Sequence, residues 1–96
     1  DTRNQLLYTE HLYKGSLNAS MVRVGELFRK ALQMNAASIL LIHNHPSGDP
    51  SPSPEDVNLT RAAVQAGKLL DVEVLDHLVV GQGRFVSMKE KSLGFG

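Results

Sequence analysis

The 96 residues predict an α/β domain of three layers, with a mixed sheet between helices, and three observations carry that expectation. Two runs of apolar, mostly branched residues, Ser38-Ile39-Leu40-Leu41-Ile42 and residues 72–80, have the composition of buried strands. Apolar residues recur at helical spacing before and between them: Val24, Leu27, Phe28, Ala31 and Leu32, then Leu59, Ala63, Ala66 and Leu70. Apart from one proline-rich loop there is no linker, repeat or low-complexity stretch, so residues 1–96 are expected to form a single domain. Because the chain starts at Asp1 without a methionine, directly before a strand, that domain is expected to be excised from a longer chain.

Residues 6–13 alternate as a strand does, with Leu6, Tyr8, Glu10 and Leu12 on one face and Leu7, Thr9, His11 and Tyr13 on the other. Glu10 is the charged member of a face that is otherwise apolar or aromatic. Lys14-Gly15-Ser16 ends that strand, and a helix of about residues 21–34 follows. The strand at 38–42 then delivers the chain to His43-Asn44-His45. If the backbone stays extended through Asn44, the period of two aims both imidazoles the same way, at the carboxyl end of a strand, where open α/β sheets place their sites.

All four prolines lie in the next stretch, at 46, 50, 52 and 54, which stiffens it. Ser53-Pro54-Glu55-Asp56 has the order of a helix start: Ser53 as N-cap, Pro54 at the first helical position, Asp56 three residues on. Asp56 shares the stripe of Leu59, Ala63, Ala66 and Leu70, so its carboxylate is expected to face the body of the domain and to need a partner there. Residues 72–80 form the next strand, Gly81-Gln82-Gly83 a hairpin turn, and 84–86 its partner. Ser87-Met88-Lys89-Glu90 is expected to cap a last helical turn.

Two imidazoles from a strand end and a carboxylate from a helix start are three ligands of the kinds Zn2+ accepts. Three protein ligands leave the fourth tetrahedral position free, the arrangement of catalytic zinc. Each residue alone has an ordinary explanation as a cap or turn former; the joined string of His-x-His, seven residues, Ser, two residues and Asp is more specific. His77 interrupts a strand near the sheet's middle and has two readings, a supporting or substrate contact lining the cleft and, favoured because no ligand spacing requires it, a hydrogen-bonded structural histidine; His11 has no assigned role.

The same residues, His43, His45, Ser53 and Asp56 with Pro46-Ser47-Gly48 between them, resemble the JAMM motif of the JAB/MPN metalloprotease domains, most closely the bacterial RadC-like branch. Asn35-Ala36-Ala37 and Asp76-His77-Leu78 extend the likeness over nearly the whole chain. The resemblance implies a three-layer, cytidine-deaminase-like architecture and zinc-dependent cleavage of a peptide or isopeptide bond in a peptide or protein substrate. It implies further sequence upstream, and the oxyanion-donor role for Ser53. For the base that takes a proton from the activated water, Glu10 fits both the resemblance and its partly apolar face, which raises a carboxyl pKa toward the useful range. Glu26 competes less well, because the helix dipole explains an acid in a first turn.

Two other classes follow from the same resemblance: a metal-binding interaction domain without catalysis in a DNA-repair-associated protein, and action on nucleic acid. Ten basic against ten acidic residues leave no net positive footprint, which speaks against the second. Without cysteine there is no thiolate site, and the Cys-containing signature of zinc nucleobase deaminases has no counterpart. The same absence suits a reducing cytoplasm, and no apolar run approaches the ~20 residues of a membrane span.

Overall fold

The structure, a computed structural model, describes residues 23–96. The expected strand at 6–13, with Glu10 and His11, and the turn at Lys14-Gly15-Ser16 lie outside the described residues. Within them run α1 (Val24–Gln33), β1 (Ser38–Asn44), α2 (Pro54–Leu70), β2 (Glu73–Gly81) and β3 (Arg84–Ser87). The strands form one mixed sheet in the order β1-β2-β3, with β1 parallel to β2 and β2 antiparallel to β3. Parallel neighbours need a crossover, and α2 supplies it.

α1 ends where Asn35 turns left-handed, at φ 52°, and the Ala36 N–H donates back to the Ala31 carbonyl at 2.8 Å. Its inward side is Leu27, Phe28 and Ala31; Leu32, expected on the same stripe, sits in the last turn and is 46% exposed. Leu27, Phe28 and Ala31 meet Ile39 and Leu41 of β1, Ala63 of α2, and Val72 and Val74 in one core cluster. Fully burying a side chain the size of Phe28 contributes about 1.5–3 kcal/mol. Both described helices share that cluster and so lie on one face of the sheet, making two layers. The expected three-layer arrangement is not present among the described residues, where Ile42 and Phe85 remain exposed.

The inward stripe of α2 is also rotated from expectation. Asp56, Thr60, Ala63 and Gly67 are buried, Leu59 and Ala66 are half-buried, and Leu70 is exposed. Gly67 is required where the chain leaves the helix: a Cβ there would stand 2.3 Å from the Val72 carbonyl oxygen in the turn that follows. Asp71, left-handed at φ 58°, ends α2, and the Val72 N–H donates to the Gly67 carbonyl before β2 begins.

One irregularity of β2 decides what faces the helices. Ile39 stands opposite Val74, but Leu40 stands opposite Asp76, so Leu75 is an extra residue in the register. A slip of one residue swaps the faces of everything after it. His77 and Val79, rather than Asp76 and Leu78, therefore join Val74 on the helix side, at 1% and 0% exposure. After β3 the chain turns at residues 88–94 without a further helix; Ser87 Oγ accepts from the Glu90 N–H, the capping contact expected there. No helix of the described residues is long and apolar enough to cross a membrane.

Candidate metal centre

β1 carries His43 on its helix-facing side and ends at Asn44. The extended path continues one residue further, because the His45 N–H donates to the Val80 carbonyl of β2 at 2.9 Å. Both imidazoles consequently face the same way, their centroids 4.8 Å apart and their rings nearly perpendicular. The proline-rich loop is docked on the hairpin: the Gln82 N–H donates to the Gly48 carbonyl at 2.8 Å, and Pro50 is buried. Gly81 makes this approach feasible, since a Cβ there would lie 2.2 Å from the Gly48 oxygen and 2.8 Å from Pro50.

Ser53 caps α2 with Pro54 at the helix start, as the sequence order predicts. The cap is reciprocal: Ser53 Oγ accepts from the Asp56 N–H at 3.1 Å, and Asp56 Oδ2 accepts from the Ser53 N–H at 2.7 Å. That contact holds the carboxylate in place with no exposure to solvent. His43 Nδ1 lies 2.8 Å from Asp56 Oδ1, and His45 Nε2 lies 2.9 Å from Asp56 Oδ2. Burial pushes the Asp56 carboxyl up, but His43 and the backbone and hydroxyl of Ser53 together outweigh it and hold the pKa well below the usual carboxylate range.

The hydrogen-bond inventory shows what such a cluster needs. His45 Nδ1 donates to the Asp49 carbonyl at 2.9 Å, so in the neutral ring Nε2 carries a lone pair. A lone pair and a carboxylate oxygen, both acceptors, face each other at 2.9 Å, and only a proton or a cation between them makes that contact favourable. A backbone carbonyl orienting one ring nitrogen while the other is free to ligate is the usual outer support of a metal-bound histidine. The donor set therefore fits a metal ion.

A third imidazole stands beside these groups. His77 Nδ1 is 2.6 Å from Thr60 Oγ1, and Thr60 in turn donates to the Asp56 backbone carbonyl at 2.8 Å. The expected hydrogen-bonded histidine is thus found, but it is also part of the cluster. Its ring stacks toward His43 with centroids 6.1 Å apart, and one ligand atom from each of His43, Asp56 and His77 lies within 4.8 Å of the others. Burial pulls the His77 pKa down to about 4; Asp56 and Asp76 pull it up, and His43 and His45 add to the lowering.

Of the residues singled out in the sequence, His43, His45, Ser53 and Asp56 come together. Glu10 lies outside the described residues, and Glu26 occupies the first turn of α1. Thr60 was not foreseen, and His77 lining the site was only the less favoured of two readings. The available signal was Asp76-His77 interrupting a mostly apolar strand; the register slip that turns His77 inward leaves no local mark.

A family model described as the RadC-like JAB domain matches residues 1–93. The chain is 60% identical over 95 residues to a UPF0758 protein of Roseiflexus castenholzii, covering 99% of this chain and 41% of the relative. A UPF0758 protein of Methanosarcina barkeri is 54% identical over 91 residues (95% and 40%), and one of Clostridium perfringens 47% over 93 (97% and 41%). The chain thus spans about two-fifths of the length of the curated relatives it matches. With a match that runs almost end to end, the chain belongs to the RadC-like JAB domain family.

Proposed function

We propose that this domain is a zinc-dependent hydrolase that cleaves a peptide or isopeptide bond of a protein substrate. His43, His45 and Asp56 would hold the metal, Glu10 would serve as base and Ser53 as oxyanion donor. The observation that carries this reading is the contact of His45 Nε2 with Asp56 Oδ2, two acceptors at 2.9 Å at the carboxyl end of a strand. Zinc bound there would supply Lewis acidity and make a water molecule nucleophilic near neutral pH.

The residues of the chain divide the remaining work. Asp49, through its backbone carbonyl, and the Ser53 N–H orient His45 and Asp56, so the ligands need little reorganisation. Glu10 takes the proton of the attacking water and passes it to the leaving amine. Ser53 donates its hydroxyl proton to the tetrahedral oxyanion while its lone pair still accepts the Asp56 N–H, since one hydroxyl can do both.

The test is Glu10→Gln in the zinc-loaded chain, assayed on a pool of generic peptides with and without chelator. Turnover should fall by about 10²–10⁴, the usual contribution of a general base, with zinc content unchanged. Equal loss of zinc and turnover would remove Glu10 from the role and return it to Glu26 or another acid.

A further inference from the structure

Thr60 is fully buried, one turn beyond Asp56 on α2, and its hydroxyl touches groups from three parts of the chain. The Asp56 backbone carbonyl is 2.8 Å away, Nδ1 of His77 in β2 is 2.6 Å away, and Sδ of Met88, just past β3, is 3.4 Å away. A Cβ at Gly94 would stand 2.8 Å from the Thr60 Cβ, so the tail after β3 also closes on this residue. A hydroxyl has one proton to give and lone pairs to accept with. If Thr60 gives its proton to Asp56 or Met88, it accepts from His77 Nδ1–H; if it gives it to His77, Nδ1 accepts. The contact between α2 and β2 is a hydrogen bond in every case, and buried groups of this kind need one. On its other side the His77 ring lies nearly parallel to that of His43, with 23° between the planes and 6.1 Å between centroids.

We propose that Thr60 and His77 are positioning residues of the metal site, a buried bridge that fixes the Asp56 turn and the His43 ring while neither residue ligates the metal. The inference rests on the three-ligand reading above and goes beyond it. His43 and His45 meet the Asp56 carboxylate directly, at 2.8 and 2.9 Å, whereas the hydrogen bond of His77 goes to Thr60. The Ser53 N–H restrains the Asp56 carboxylate, and the Thr60 bridge adds a second restraint on the backbone of the same residue. His77 meanwhile limits the tilt of the His43 ring, which His45 meets edge-on. Ligands held in this way keep their spacing before a metal arrives, so little is lost to ordering when it binds. The slip at Leu75 acquires a purpose, because without it His77 would face away from both partners.

The experiment combines competitive zinc titration of the 96-residue chain, the visible spectrum of its cobalt-loaded form, which reports ligand geometry, and X-ray absorption, which counts imidazoles. Two imidazoles are expected in the wild type and two in His77→Gln, which removes the ring beside His43 and should lower zinc affinity about 10–100-fold, the range for losing an outer supporting contact. Thr60→Val should lose affinity within the same range and shift the cobalt spectrum, and Thr60→Ser, which restores the hydroxyl, should return both toward the wild type. Three imidazoles in the wild type would make His77 a ligand and overturn the inference. Unchanged affinity and spectrum in Thr60→Val and His77→Gln, or equal losses in Thr60→Val and Thr60→Ser, would overturn it and leave the proposed function standing. A wild-type chain that binds no zinc would overturn both. Should Thr60→Val fail to fold, the affinity and imidazole count of His77→Gln decide.

Discussion

His45 and His77 come to the same buried carboxylate with opposite kinds of support. His45 is placed by what is near it in sequence: a strand that ends one residue earlier, a loop stiffened by proline, and the carbonyl of Asp49 four residues on. His77 is placed by what is far from it: the pairing of β2 with β1, a one-residue slip at Leu75, and Thr60 seventeen residues away on α2. The first arrangement is written in a short motif and is accessible. The second is a product of sheet register and is rigid. The difference teaches that a motif can name the exposed half of a site while the fold supplies the buried half.

The largest expected effect separates the two by pH. The folded state holds His77 down to about 4 from 6.5, so between those values the unfolded chain binds a proton that the folded chain refuses. Stability of the metal-free chain is therefore full above pH 6.5 and falls as pH drops toward 4, by up to about 3 kcal/mol at ~1.4 kcal/mol per pKa unit. Asp56 acts in a lower window: its depressed pKa contributes stability above its ordinary value of 3.8 that is lost on further acidification. Urea unfolding in chelator at pH 7 and pH 4.5 measures the His77 contribution, and His77→Gln should flatten the difference. A wild-type profile already flat across that range would mean that the strand-side histidine is no more constrained than an exposed one.

A smaller effect targets the loop side alone. Gly81→Ala drives a Cβ into the Gly48 oxygen and Pro50, and overpacking of this kind costs about 1–3 kcal/mol. It should displace the loop that carries His45 while preserving the pH dependence contributed by His77. Chemical-shift changes spread equally over β1, β2 and the loop would show that the two supports are not separable. The smallest effect on stability comes from Ser53→Ala, which removes the N-cap acceptor and should cost about 1 kcal/mol in thermal or urea unfolding. If turnover is assayed in the same variant, the oxyanion role proposed for Ser53 predicts a rate lower by about 10²–10³.

Much of this was legible in the sequence where the determinants are local. Ser53, Pro54 and Asp56 specify a helix start by their order alone, and the His-x-His spacing needs only an extended backbone to align two rings. Legibility failed where packing decides. Leu32 and Leu70 fit apolar stripes yet are exposed, while Thr60 and Gly67 take inward positions of α2, Gly67 where a Cβ would strike the Val72 carbonyl in the turn after the helix. The face that His77 occupies depends on Leu75 being skipped in the pairing with β1, and no residue pattern in β2 announces that slip. The expectation of helices on both sides of the sheet rested on composition and resemblance, and the described residues place both helices on one side.

The proposed function gives Asp56 a second duty beside capping α2: with His43 and the neighbouring imidazoles it would hold a metal ion. Zinc content of the purified chain, wild type against Asp56→Asn, tests it most directly, with circular dichroism to establish that the variant is folded. Close to one zinc per wild-type chain and almost none in folded Asp56→Asn is the result the geometry predicts. A wild-type chain that takes up no zinc when supplied with it, or an Asp56→Asn chain that retains it, would contradict the account.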